Sequence, residues 1–286
     1  MPVVITGASG LVGPHAVRAL AAASPEVRAV VRRPASAAAL RALGAKVAVG
    51  ELSDQDTLAA VMRGAHTVVH LAGGLDVPDD RAFEAANLTT TEDALHAAVE
   101  AKVRRFVLLS FPGASPDSPN PYLRAKGLAE RAVAASGLEF AVIRSNHVLG
   151  PGGAWVGALV RQARSRPALV VAPGTQTMAP VFVEDVAAIL AAADDRSGLA
   201  SGTWSLDGPE RVTADELTDL VAGRHRHAVH VRPATLARLA RIGRRPVSTV
   251  MLEVLAADAL GDAPDAASEF GIELTPLRAA LERSLP

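Results

Sequence analysis

The chain's single tyrosine and one of its three lysines stand four residues apart, at Tyr122 and Lys126. Around them the chain reads Ser118-Pro119-Asn120-Pro121-Tyr122-Leu123-Arg124-Ala125-Lys126. Asn120 can cap a helix and Pro121 suits its first position, so the pattern predicts a helix over 120–136. Residues four apart share one helix face, which sets the phenol beside the ammonium. A neighbouring positive charge favours the phenolate and should lower the Tyr122 pKa toward the working range of a general acid/base.

A second signal lies at the start of the chain. Thr6-Gly7-Ala8-Ser9-Gly10-Leu11-Val12-Gly13 follows an apolar run and opens a helical pattern. Glycine permits a tight turn, which leaves backbone amides facing a pyrophosphate at a helix N-terminus. The spacing is G-x-x-G-x-x-G, so it shares the mechanism of the G-x-G-x-x-G fingerprint without its letters. The plainer alternative is a turn that binds nothing. Pro14 loses a backbone hydrogen bond there unless the helix begins late. Further on, Val30-Val31-Arg32-Arg33-Pro34 closes the second apolar run. A site for NAD places an acid at this point to hold the ribose 2′-hydroxyl, whereas Arg suits the 2′-phosphate of NADP. Arg32 and Arg33 therefore point to NADP (NADPH), with a solvated arginine pair as the alternative.

These groups are positioned by a regular alternation. Apolar runs near 2–6, 26–31, 46–49, 66–72, 104–110 and 139–144 are separated by helical patterns near 11–23, 36–43, 54–63, 81–101 and 120–136. The run from Val103 to Leu109 reads as a strand buried on both faces. Six such strands imply an α/β fold, a doubly wound parallel sheet with helices on both faces. After residue 145 the rhythm loosens around Gly150-Pro151-Gly152-Gly153 and Pro173-Gly174. A helix resumes over 184–190, a strand over 202–206, and Thr213 with Glu216 marks a capped helix start. The expected division is a nucleotide-binding core over 1–150. Over 151–286, the remaining sheet elements interleave with a small, mostly helical substrate-side cap, so the boundary is discontinuous.

Composition narrows the classes. At roughly 150 residues per domain, 286 residues suit two domains or one large α/β unit with an appendage. A net charge of −1 excludes the broad basic field of a general nucleic-acid binder. The absence of cysteine excludes disulfides, thiol nucleophiles and Cys-based metal sites. Hydrophobic residues reach 49%, yet no run approaches the ~20 residues of a membrane span. Met1-Pro2-Val3-Val4-Ile5 shows no export pattern. The expectation is a soluble, cytoplasmic protein acting on a small molecule, with no metal, nucleic acid or membrane partner; a homodimer stays open.

Taken in order, these motifs resemble the short-chain dehydrogenase/reductase superfamily, in its extended or atypical branch. The resemblance rests on Thr6 to Gly13, Val69-His70-Leu71-Ala72-Gly73, Asn87 and Tyr122-x-x-x-Lys126. It continues through Ile143 to Gly152, Val183-Glu184-Asp185-Val186-Ala187 and Leu206-Asp207-Gly208-Pro209-Glu210, covering about residues 2–220. It implies a Rossmann fold in which Gly7, Ser9, Gly10, Leu11 and Val12 line the pyrophosphate and Arg32 and Arg33 the adenosine 2′-phosphate. Glu51 and Leu52 stand where the family usually has Asp-Leu beside adenine. Leu71, Ala72 and Gly73 would run along the ribose, Lys126 would hold the nicotinamide ribose, and Ser145 to Val148 would meet the carboxamide. Tyr122 would exchange a proton with the substrate oxygen. For the third catalytic group the resemblance offers Ser110, 12 residues before Tyr122. In extended enzymes the working hydroxyl often sits one place later, where this chain has Phe111, and Ser115 and Ser118 are alternatives.

The resulting expectation is an NADP-dependent oxidoreductase acting on a carbonyl/alcohol pair. Its rivals are a sugar-nucleotide epimerase or dehydratase and a non-catalytic, NmrA-like dinucleotide sensor or respiratory-complex accessory subunit. His147 sits in the loop expected to face the nicotinamide and reads as a substrate contact. Trp155, Val156, Leu159, Met178 and Phe182 lie in segments expected near the pocket. His225, His227 and His230, with no acid or Cys beside them in sequence, read as a solvated strand edge rather than a metal site. Arg238, Arg241, Arg244 and Arg245 read as a solvated helix face, with an anion-binding patch as the alternative.

Overall fold

The computed structural model describes residues 1–75, 80–195, 200–242 and 247–286. The first half runs β1 (Val3–Thr6), α1 (Gly13–Ala23), β2 (Val27–Val31), α2 (Ala37–Ala42), β3 (Lys46–Val49), α3 (Gln55–Met62) and β4 (Thr67–His70). Next come α4 (Asp80–Glu84), α5 (Thr90–Glu100), β5 (Arg105–Ser110), α6 (Pro121–Ala135) and β6 (Glu139–Ser145). The second half begins with β7 (Val148–Leu149), α7 (Ala154–Arg164), β8 (Ala168–Val171), β9 (Thr177–Met178), β10 (Val181–Phe182) and α8 (Val183–Asp195). It continues through β11 (Gly202–Leu206), β12 (Val212–Thr213), α9 (Ala214–Ala222) and β13 (Ala228–Val231). The last helices are α10 (Pro233–Ile242), α11 (Thr249–Ala256), α12 (Ala266–Phe270) and α13 (Leu277–Ser284).

The main sheet has seven strands in the order β11-β6-β5-β4-β1-β2-β3, every pair parallel. The six expected strands are all present, and the 202–206 run adds the seventh beside β6. Strand order reverses between β1 and β4, so a crevice opens at their carboxyl ends, where ligands of such sheets bind. One apolar cluster, with Val17, Leu20, Ile143 and Ile189, lies under one face of the sheet. A second, with Leu58, Met62, Phe106 and Val133, lies under the other. This is the Rossmann-like, doubly wound arrangement.

Two boundaries carry physical content. The first helix begins at Gly13 rather than 11, which puts Pro14 in its first turn, where no intrahelical bond is lost. The helix expected over 81–101 is broken by a π-turn at Ala85–Thr89 that contains buried Asn87. In β5, Arg105 is only 2% exposed. It donates to the carbonyls of Ala193 and Asp194 at the end of α8 and pairs with Glu139 at 3.0 Å. The buried strand therefore tolerates a cation because helix-terminal carbonyls and a carboxylate answer it.

The segments after β6 also fold onto one another. Strand β13 pairs with β8 and β12 with β9, and the backbone of Met178 bridges to Ala259. Among the described residues, no helix is long and apolar enough to cross a membrane.

Candidate active site

A cleft of about 540 Å³ lies along the carboxyl ends of β1, β2 and β4. It gathers Gly7, Ser9, Gly10, Arg32, Arg33, Glu51, Leu52, Leu71, Ala72 and Gly73 in one lining. Gly7 has φ +73°, and a Cβ on it would sit 2.4 Å from the amide nitrogen of Ala72. Only glycine allows this approach, which seals the floor of the turn against the end of β4. Helix α1 has no side-chain cap, and the amides of Leu11 and Val12 donate to nothing among the described residues. An uncapped helix N-terminus with free amides beside a cleft suits a pyrophosphate, so these residues fit a dinucleotide.

Arg32 and Arg33 are both exposed at the cleft and, among the described residues, form no ion pair. The far wall comes from Ala85, Ala86, Thr89, Thr90 and Asp93, which the sequence reading did not name. Their signal was present in the Asn87 motif. Asn87 is fully buried and grips the backbone of Gly74 through both amide atoms, at 3.1 and 3.0 Å. That clamp holds the chain leaving β4 against the π-turn.

Tyr122 and Lys126 do lie on one turn of α6, which Asn120 caps by accepting from the amides of Tyr122 and Leu123. Lys126 is 6% exposed, and its Nζ donates to the Leu109 carbonyl at 3.0 Å. The same ammonium reaches the cleft edge, since a Cβ on Gly73 would stand 3.1 Å from it. Burial lowers the Lys126 pKa to about 8, although the Glu130 charge acts to raise it.

The phenol corrects one expectation. Burial pushes the Tyr122 pKa up, not down. The ring packs with Phe83 and Val254 and meets Phe111 edge-on at a 5.9 Å centroid distance, in an apolar enclosure. Meanwhile the lysine charge is directed at the Leu109 carbonyl. Among the described residues the Tyr122 hydroxyl forms no hydrogen bond, which leaves it free for a ligand oxygen.

Ser110 points elsewhere. Its Oγ donates to Glu130 at 2.5 Å, and Glu130 is held in turn by Arg144 at 2.7 Å. Glu130 follows Tyr122 by eight residues, about 12 Å along a helix axis. Phe111, the next residue, is the one that meets Tyr122. Ser145 Oγ donates to the Asn146 carbonyl, and Val148 pairs in β7 with β10. Ser145, Val148, Leu11 and Val12 lie outside the lining of the nucleotide cleft.

Other expectations shift more sharply. Val156, Leu159, Met178 and Phe182 belong to the buried core, not to a pocket wall. Of that group Trp155 alone is partly exposed, and its ring lies 4.8 Å from His147. His70 is fully buried and receives or gives hydrogen bonds at Thr6 and Thr91 through its two nitrogens, a structural role. Two histidines of the 225–230 segment do have acids nearby. His225 meets Asp219 at 2.7 Å and His230 meets Asp215 at 2.9 Å, because the fold lays α9 beside β13. No group of three or more metal-ligating side chains occurs among the described residues. Arg238 and Arg241 are exposed on α10, while Arg244 and Arg245 lie outside the described residues.

Comparison with known proteins places this geometry. A model described as "NAD(P)H-binding" matches residues 7–196, and one described as "RmlD substrate binding domain" matches 112–283. A ceramide reductase of Caulobacter vibrioides is 34% identical over 192 residues, 66% of this chain and 60% of that protein. Subunit 9 of the NADH dehydrogenase 1 alpha subcomplex of Arabidopsis thaliana is 32% identical over 232 residues, 76% of this chain and 56% of that one. The matched region thus spans under two thirds of both relatives. The triphenylmethane reductase of Citrobacter sp., solved with NADP(H), shares the fold with a TM-score of 0.81 at 19% identity, covering all of both chains. The resemblance expected from the sequence holds as an NAD(P)H-binding family and a Rossmann-like fold. Relatives named as reductases and the nucleotide cleft agree, and the chain belongs to the NAD(P)H-binding family, with an RmlD-like substrate-binding region over its second half.

Proposed function

We propose that the chain is an NADP-dependent oxidoreductase that interconverts a carbonyl and an alcohol, with Tyr122 as general acid/base. One observation carries the reading: Lys126 bridges the two halves of the site, sharing a helix face with Tyr122 while its ammonium lies at Gly73 on the cleft edge. A nicotinamide cofactor, when bound, supplies or takes up the hydride. Tyr122 gives its proton to the substrate oxygen in reduction and recovers it in oxidation. Lys126 would hold a ribose hydroxyl and, by its charge, stabilise the phenolate that remains. Phe83, Phe111 and Val254 keep water from that proton. The direct test follows NADPH absorbance against a panel of aldehydes and ketones; no turnover with either NADPH or NADH would overturn the reading.

In this reading Ser110 supports the sheet rather than the chemistry. Ser110→Ala removes a neutral donor from the partly buried Glu130 carboxylate, at about 1–2 kcal/mol. Thermal or urea unfolding should register that loss while kcat stays within about twofold; a hundredfold fall in kcat would restore Ser110 to the mechanism.

We also propose that the loop from Gly150 to Met178, with the chain beyond Ser201, closes over the nicotinamide end. Supporting it, Leu11 of the glycine-rich turn packs beneath Gly150 and Gly153, and Asn120 ties the start of α6 to Val250 and Glu253 on α11. Hydrogen exchange in these segments should slow with NADPH and substrate together. Exchange indifferent to both ligands counts against a cap.

The RmlD-type match favours a second reading, an epimerase or dehydratase acting on a sugar nucleotide. Such enzymes recycle a tightly held cofactor, so cofactor that stays bound through gel filtration supports this alternative, and free exchange supports the first.

A further inference from the structure

The loop after β6 holds a buried hydrogen-bond acceptor that none of the described residues satisfies. His147 is 7% exposed, and among the described residues its Nε2 has no hydrogen-bond partner. Its tautomer follows from its neighbours. Asn146 Nδ2 donates to Asp207 at 2.9 Å and to the Ala259 carbonyl, which turns Asn146 Oδ1 toward His147. That oxygen accepts the His147 backbone amide at 2.8 Å and faces ring Nδ1 at 3.2 Å. Nδ1 therefore carries the proton and Nε2 presents a bare lone pair. Burial lowers the His147 pKa to about 4, so the ring is neutral at pH 7.

An unmade buried hydrogen bond is costly, and such groups are rare enough in folded proteins to call for a reason. The surroundings supply one. The chain has six Phe, two Trp and one Tyr. Four of these gather in one array with His147: Phe83 meets Tyr122, Tyr122 meets Phe111, Phe111 meets His147 at 5.1 Å, and Trp155 lies beyond. The acceptor is one ring removed from the phenol that would handle the proton.

We infer that His147 Nε2 receives a hydrogen bond from a hydroxyl or N–H group on an aromatic substrate whose carbonyl lies at Tyr122. The aromatic array selects the flat body and His147 selects the donor, so the specificity is for hydroxylated or amino-substituted aryl carbonyls. Trp155, in the first turn of α7, lies 4.8 Å from the His147 ring, and the ligand displaces that indole on entry. The inference takes the location of the substrate from the oxidoreductase reading, yet it is testable without turnover.

Calorimetric titration of the enzyme saturated with its oxidised cofactor should compare acetophenone with 2-, 3- and 4-hydroxyacetophenone. At least one isomer is expected to bind tenfold or more tightly than acetophenone. His147→Phe, which keeps a ring but no acceptor, should erase that advantage while leaving acetophenone affinity unchanged. Its Tm should hold or rise, because an orphaned acceptor is gone and Asn146 keeps the backbone amide. His147→Gln, which restores an acceptor oxygen, should recover part of the advantage, as a mere packing role would not. No advantage for any isomer in the wild type overturns the inference, and so does an advantage that survives His147→Phe. Discriminating binding without reduction of any ketone would sustain it and remove the oxidoreductase reading instead.

Discussion

Tyr122→Phe is expected to lower kcat by about 10²–10⁴-fold while cofactor affinity barely moves. The substitution deletes one hydroxyl from an apolar enclosure of Phe83, Phe111 and Val254, so packing is retained and only proton transfer is lost. Burial raises the phenol's pKa, which keeps Tyr122 protonated and ready as an acid in the reductive direction. The phenolate left behind then depends on Lys126. Its charge persists below about pH 8 and is lost as pH rises through that value, so reductive turnover should decline above pH 8. Lys126→Met should impair cofactor binding and kcat together, because one ammonium serves the cleft edge and the phenol. Single-turnover oxidation of bound NADPH by an accepted carbonyl, in wild type and both variants, makes the comparison. A dinucleotide sensor predicts the reverse: no wild-type turnover and an unchanged ligand response in Tyr122→Phe.

Much of this site was legible in the sequence because it is local. A glycine-rich turn, a capped helix and a four-residue offset are each fixed within a dozen residues, and the strands that order them are short apolar runs. What the sequence concealed depends on distant segments. The direction of the Tyr122 shift follows from burial among Phe83 and Val254, which are remote in the chain and pack in the same cluster as the ring. The interval to Tyr122 marks Ser110 as catalytic, but Glu130 on α6, held in turn by Arg144 on β6, accepts its hydroxyl. The acids facing His225 and His230 come from α9, several residues upstream. Likewise α11 falls where sequence resemblance fades, yet Val250 and Glu253 are bound by the same Asn120 that caps the Tyr122 helix. Periodicity announces an element; it does not say what the element will touch.

NADPH should bind at least tenfold more tightly than NADH, and Arg32→Ala/Arg33→Ala should remove that preference. Arg32 and Arg33 stand exposed at the cleft and, among the described residues, without an ion-pair partner. Their charge is therefore available to a 2′-phosphate. One charge-assisted hydrogen bond contributes about 1.5–3 kcal/mol, and each ~1.4 kcal/mol is a factor of ten in affinity. The same cleft also holds Glu51 and Asp93. A carboxylate there repels a phosphate and can accept from a ribose hydroxyl, so the preference measures a contest between opposite charges. The arginines have the advantage because Arg pairs with phosphate through two parallel bonds. If they decide the contest, raising salt should shrink the NADPH preference, since exposed charges are screened within about 10 Å at 0.1 M. Calorimetric titration of both cofactors, in wild type and double variant at two ionic strengths, reads each term. Equal affinities in the wild type would assign the cleft to NAD and leave Glu51 as the residue that meets the ribose. A preference that survives the double variant would place the 2′-phosphate elsewhere, with Ser36 and Ser53 in the cleft lining as the next donors to replace.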